Sequence, residues 1–100
     1  MKNILLSADG DIKIYSVPDI VADNLKHYCL RFIDWVHKNP DKFLLEDQKV
    51  FCFDETGFIE YLNSRFFPKE PSFYVETTNL AEIRLNEWPK EYKKMPYFNF

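Results

Sequence analysis

Residues 3–17 read NILLSADGDIKIYSV, and this stretch decides the fold. Apolar and polar side chains alternate in IKIY in its second half, which is the period of a half-buried β-strand. The pair Asp9-Gly10 is a strong signal for a tight turn, because both residues tolerate a positive φ. The stretch therefore predicts a β-hairpin with strands at 3–7 and 12–17.

Two helices are predicted after the hairpin. The first covers about 19–38, since Pro18 suits a helix start and Asn39-Pro40 ends the periodic pattern. The second covers about 55–67, with Asp54 as its N-cap. The apolar face of the first helix consists of Val21, Leu25, Tyr28, Cys29, Phe32, Ile33 and Val36.

Further short strands complete the prediction of an α+β fold for residues 1–100, taken as a single domain. We expect a small antiparallel sheet, made of the N-terminal β-hairpin plus two or three further strands, with both helices on one face. The early strand is apolar on both faces, which implies cover on both sides of the sheet. The additional strands are expected at 43–45, 49–53 and 72–77, with a turn at 46–48 and a short helical piece at 80–85.

Composition excludes several functions. The chain has 46% hydrophobic and 29% charged residues, as folded globular proteins do. Two glycines are too few for a Gly-rich phosphate loop. The net charge of -3 disfavours nucleic acid and anionic lipid as partners. The absence of a long apolar run and of a leader-like segment points to the cytoplasm.

The metal-site candidate in the sequence is a row of Asp19, Asp23 and His27, spaced by four on the first helix. Carboxylates and an imidazole in a row could hold a divalent ion. The simpler interpretation is a solvated helix face whose acids suit the helix dipole. We therefore expect no resident metal and no cofactor.

The remaining nucleophile and base candidates have structural explanations. Cys29 falls on the apolar face of the first helix, and Cys52 alternates with phenylalanines in a predicted strand, so both are expected to be buried free thiols. His37 lies in the last turn of the first helix, where a protonated imidazole suits the negative end of the dipole. No pattern of catalytic residues is recognised.

Aromatic residues are concentrated at the end of the chain. They make up 18% of all residues, and Trp88, Tyr97, Phe98 and Phe100 lie in the last thirteen. Because burying a large apolar side chain is worth about 1.5–3 kcal/mol, this tail should be docked. Either it folds back on its own sheet and covers the second apolar face, or it docks on another chain. These four residues are the candidate interaction site.

Five motifs carry a resemblance to known proteins. They are SADG at 7–10, VPD at 17–19, VADNL at 21–25, FIEYLN at 58–63 and PxxYKxxPYFNF at 89–100. Together they resemble a set of short uncharacterised proteins of Gram-positive anaerobic bacteria that end in a Pro-Tyr-Phe-Asn-Phe-like motif. Those proteins have a Cys where this chain has Met95, which argues against a required thiol there. The resemblance implies a bacterial cytoplasmic protein and no particular activity.

Three functional hypotheses follow. The first is a small non-enzymatic protein-interaction module, of which a homodimer is one form. The second is an accessory or inhibitor protein of a mobile element, which gene neighbourhood would test. The third is a small metal-binding enzyme that uses Asp19, Asp23 and His27. Aromatic excess without a catalytic motif favours the first.

Overall fold

The N-terminal hairpin is confirmed. In the computed structural model, which describes residues 1–8, 10–45 and 50–100, strands β1 (Lys2–Ser7) and β2 (Ile12–Val17) pair antiparallel with Leu5 opposite Ile14. Gly10 has a φ of 105°, a left-handed conformation that favours glycine. Asp9, the other half of the predicted turn pair, lies outside the described residues.

The α+β class is also confirmed, and the sheet gains one strand that the sequence did not indicate. Its order is β5-β2-β1-β6, where β5 is Phe73–Thr77 and β6 is Tyr97–Asn99. β5 pairs antiparallel with β2, whereas β6 pairs parallel with β1, so the sheet is mixed where an antiparallel sheet was expected. A separate small sheet contains β3 (Leu44–Leu45) and β4 (Val50–Phe51). The predicted turn at 46–48 and residue Lys49 lie outside the described residues.

The helix predicted at 19–38 is two helices, α1 (Asp19–Asp23) and α2 (Leu25–His37). Asn24 separates them with φ −133° and ψ 38°, and its side-chain amide donates to the carbonyl of Ile20 at 2.9 Å. Asparagine competes for backbone hydrogen bonds in this way, which disfavours it inside helices. The chain then forms α3 (Pro40–Phe43).

The second predicted helix is α4 (Glu55–Arg65), two residues shorter than expected. Its N-cap is Asp54, as predicted, and the Asp54 carboxylate accepts from the N–H of Gly57 at 3.0 Å. Both α2 and α4 pack on one face of the sheet, as predicted. The buried residues of this helix-side core are Ile4, Leu6, Tyr15, Val17, Val21, Ala22, Leu25, Cys29, Phe32, Val36, Phe58, Ile59, Tyr61 and Leu62.

The opposite face of the sheet is covered by the chain segment that follows β5. This segment forms two 3-10 turns, Leu80–Glu82 and Leu85–Glu87, and the short helix α5 (Lys90–Lys93). It buries a second cluster on Leu5, Ile12 and Ile14, the strand side chains that point away from α2 and α4. The covering residues are Leu80, Ile83, Trp88, Tyr92 and Met95. The two-sided apolar strand β1 thus has protein on both faces.

Candidate interaction groove

The aromatic tail packs on its own domain, on both sides of the sheet. Phe98 and Phe100 are partly buried against the helix-side core, with the Phe100 ring centroid 5.5 Å from that of Phe58 and 5.8 Å from that of Phe32. Trp88 is 7% exposed in the second cluster. Of the four candidate residues, Tyr97 alone is largely exposed, at 42%.

The indole of Trp88 is fixed by hydrogen bonds as well as by packing. Its Nε1–H donates to the carbonyl of Leu80 at 3.2 Å and to that of Ile83 at 3.1 Å. A buried indole N–H needs such an acceptor, because an unpaired donor in an apolar site is costly. The ring therefore forms a rigid base for the surface above it.

Strand β6 is held to β1 by backbone hydrogen bonds and by a polar cluster on the same side of the sheet as Trp88. The N–H of Leu5 donates to the carbonyl of Pro96, and the N–H of Phe100 donates to that of Ser7, both at 2.8 Å. The Ser7 hydroxyl donates to Asn99 Oδ1 at 2.8 Å. Since that hydroxyl has one proton, the Tyr97 hydroxyl, 3.0 Å away, donates to Ser7 Oγ. This hydrogen bond fixes the hydroxyl end of the exposed Tyr97 side chain and so sets the orientation of its ring.

Trp88 and Tyr97 meet in an open apolar groove, which we call the C-terminal groove. Their ring centroids lie 5.7 Å apart at an interplanar angle of 64°. The groove has a volume of about 650 Å³, within the range of sites that bind small molecules or side chains of a partner. Leu85 at its rim is 64% exposed. The lining consists of Leu85, Asn86, Trp88, Tyr92, Lys93, Met95 and Tyr97.

The segment that forms most of the groove is positive in a chain that is negative overall. Residues 84–94 contain Arg84, Lys90, Lys93 and Lys94 against two glutamates, a net +2, whereas the whole chain carries -3. Lys93 is held in place because its ammonium donates to the carbonyl of Asn86 at 2.8 Å. An apolar groove with basic neighbours favours a ligand that is apolar in the middle and acidic at its flanks.

The residues proposed for a metal site do not form one. Asp23 Oδ1 lies 2.8 Å from Lys2 Nζ, and Asp19 Oδ1 lies 3.0 Å from the amino group of Met1. His27 follows the break at Asn24, and its ring contacts that of Tyr28. In the part of the chain that the structure describes, no three His, Cys, Asp or Glu side chains are arranged to hold a metal ion.

The cysteines divide between core and surface. Cys29 is fully buried, and burial raises the pKa of its thiol far above the ordinary value, so it stays protonated and unreactive. Cys52 is exposed, so the prediction of a second buried thiol was wrong. It follows the two-residue strand β4 directly, and the alternation pattern assumed a longer strand.

His37 Nδ1 lies 2.8 Å from the carbonyl of Ile33, in the last turn of α2 as predicted.

Two features of the groove were missed in the sequence. Leu85 ends the segment expected as a short helical piece and Asn86 follows it, and only the fold shows that they border Trp88. The sequence LNEW at 85–88 is a signal that could have identified them. Its apolar residue, Leu85, precedes Trp88 by one 3-10 turn.

Comparisons with models of protein families, with curated proteins and with solved structures found no match to this chain. Within the described residues, none of the helices has the length and apolarity required to cross a membrane. The function of this chain is therefore inferred from its own surface.

Proposed function

We propose that this chain is a non-enzymatic protein-interaction module whose C-terminal groove binds an apolar segment of another protein. The observation that supports this most is the groove itself, where Leu85 and Tyr97 stay exposed beside a rigid Trp88. Interface hot spots are enriched in Trp and Tyr that are held in place before binding. The net positive charge of residues 84–94, with Lys93 in the groove lining, favours a partner with Asp or Glu beside its apolar anchor.

A displayed library of random peptides, selected on the intact chain, tests this proposal. We expect enrichment of peptides with one large apolar residue next to acidic residues. Leu85→Asp should reduce their affinity at least about tenfold, because it puts a charge into the apolar contact and repels acidic flanks. Leu30→Asp is the matched control, since Leu30 is also exposed, at 49%, but lies on α2.

Two results would contradict the groove as the binding site. One is the absence of any enriched peptide. The other is a set of enriched peptides that bind Leu85→Asp and the unaltered chain equally well.

Self-association is a second candidate function, and it is favoured by strand β5. All five residues of β5 are exposed, including Phe73 at 56%, Tyr74 at 53% and Val75 at 42%. β5 pairs only with β2 among the described strands, so its other edge offers unpaired backbone groups. Edge strands of this kind are templates for pairing with another chain.

The β5 edge is complementary to a second copy of itself. Antiparallel pairing about Val75 would set Phe73 opposite the partner's Thr77 and Tyr74 opposite the partner's Glu76, so no like charges would meet. β5 has five residues, and each copy would use its one free edge in this contact, which favours a closed dimer over a growing fibre.

Sedimentation equilibrium tests this dimer. We expect the unaltered chain to show a concentration-dependent dimer and Val75→Lys to be monomeric, because lysine on an edge strand blocks pairing. Ile20→Lys is the control, since Ile20 is 52% exposed on α1. A monomer at every attainable concentration would refute self-association and leave the groove proposal intact.

A further inference from the structure

A small pocket between α2 and α4 draws together two of the three arginines of the chain. Arg31 of α2 places its guanidinium carbon 5.2 Å from the ring centroid of Phe66, and Arg65 of α4 places its own 5.4 Å from that of Trp35. Both distances are within the range of cation–π contact. Two helices therefore present two stacked guanidinium groups to one pocket.

The pocket has an excess of positive charge. Lys38 is neutralised locally, because its ammonium lies 2.8 Å from Asp34 Oδ2 in the same pocket. Among the described residues, neither Arg31 nor Arg65 has a carboxylate within 4.0 Å. The charged side chains that line the pocket are Arg31, Lys38, Arg65 and Asp34, which sum to +2.

Stacking leaves the hydrogen-bonding edges of a guanidinium available. The planar group donates from its edge in a fork that fits the two oxygens of a carboxylate or phosphate, while its face packs on an aromatic ring. The volume of about 200 Å³ is below the range of pockets that enclose a whole drug-sized ligand. It suits one charged group of a ligand.

We infer that this pocket binds the terminal oxyanion, carboxylate or phosphate, of a small molecule through Arg31 and Arg65. This site is separate from the C-terminal groove, since α2 and α4 cover the other face of the sheet. The rings of Trp35 and Phe66 hold the two guanidinium groups in place for that anion.

Phenyl phosphate and benzoate are suitable probes, because they share a ring and differ in the anion. We expect a saturable NMR titration of the ¹⁵N-labelled full chain, with shifts at the Arg31 and Arg65 Nε–H and at the Trp35 indole N–H. Arg31→Lys and Arg65→Lys should each weaken binding about tenfold although the charge is unchanged, because lysine cannot form the two parallel bonds. Arg84→Lys, outside the pocket, should bind as the unaltered chain does.

The choice of probe identifies the anion. Binding of phenyl phosphate alone assigns a phosphate ligand, and binding of benzoate alone assigns a carboxylate ligand. The inference is overturned if neither probe causes saturable shifts at these side chains. It is also overturned if both lysine variants bind the probes as tightly as the unaltered chain, which would indicate diffuse charge attraction. Both arginines are exposed, so thermal melts should show all three variants folded.

Discussion

The contact between Lys13 and Glu55 joins residues that are 42 positions apart in the sequence. Lys13 Nζ lies 2.8 Å from Glu55 Oε1, and the Glu55 side chain is only 7% exposed. Exposed ion pairs contribute little, but a buried carboxylate depends on its partner. Lys13 lies on β2 and Glu55 lies in the first turn of α4, so only the packing of α4 on β2 brings them together.

This pair and its neighbour Tyr15 predict a loss of stability in alkali. The hydrogen bond to Glu55 raises the pKa of Lys13 above 10.5, and burial raises the pKa of Tyr15 above 10.0. Both groups hold their protons more tightly in the folded state than in the unfolded state. Their contribution to the free energy of unfolding is therefore complete below the unfolded-state pKa and is lost as the pH rises through the folded-state pKa. We expect the urea midpoint to fall above about pH 10.

Glu55→Gln tests how much of this fall depends on the Glu55 charge. It keeps the size of the side chain and removes the charge that raises the pKa of Lys13 and adds to the rise at Tyr15, so the alkaline fall should become shallower, and the part due to the burial of Tyr15 should remain. A urea midpoint that stays flat from about pH 8 to about pH 11 would contradict the prediction. So would a Glu55→Gln variant with an unchanged slope.

At the scale of elements, one asparagine links α4 to the edge strand β5. Asn63 Nδ2 donates to the carbonyl of Ser72 at 3.0 Å, and the N–H of Ser72 donates to Asn63 Oδ1 at 2.7 Å. Asn63→Ala should lower the free energy of unfolding by about 1–3 kcal/mol, because both bonds are part-buried. Urea unfolding measures this loss.

Ser64→Ala is the matched control on the same helix. The Ser64 hydroxyl donates to the carbonyl of Glu60 at 2.8 Å in an exposed setting, where water replaces it. We expect Ser64→Ala to change stability by less than about 0.5 kcal/mol. Equal losses for Asn63→Ala and Ser64→Ala would show that the link does not hold β5 in place.

Elements with local signals could be predicted from the sequence, and elements made by distant pairing could not. The hairpin follows from alternation around Asp9-Gly10, and α4 follows from its Asp54 cap and apolar stripe. β6 has no such signal, since its partner β1 is 92 residues away and Pro96 precedes it. The break at Asn24 was missed because the apolar stripe continues through it.

The candidate site, too, could be predicted only in part from the sequence. The concentration of aromatic residues identified the tail, and the requirement for cover on the second face of β1 indicated where it could dock. Which rings end inside and which stay outside depends on strand alternation in β6. Phe98 points to the helix-side core, and Tyr97 points to the groove.

At the scale of the whole molecule, the tail is part of the core, so its removal should affect folding before binding. A chain of residues 1–96 lacks β6 and the rings of Phe98 and Phe100. Full burial of such a ring is worth about 1.5–3 kcal/mol, so the loss of these two partly buried rings is at most about 6 kcal/mol against a total stability of about 5–15 kcal/mol. We expect the shortened chain to lose its cooperative melting transition by circular dichroism.

Asn99→Ala controls for this truncation within the same strand. It removes one hydrogen bond, that from Ser7, and leaves both rings, so a cooperative transition should remain. If residues 1–96 melt at the same temperature as the full chain, the tail does not contribute to this fold.

The parallel pairing of β6 with β1 also sets the order in which this chain can fold. The β1–β2 hairpin needs only a short loop and can form within microseconds, whereas β6 must close a loop of about 90 residues before its first contact. During synthesis on the ribosome, β1 therefore waits with one open edge until residues 97–99 emerge. Throughout that interval Leu5 and Leu6 lack their neighbouring strand, and this is the period in which the nascent chain is most exposed to pairing with other chains.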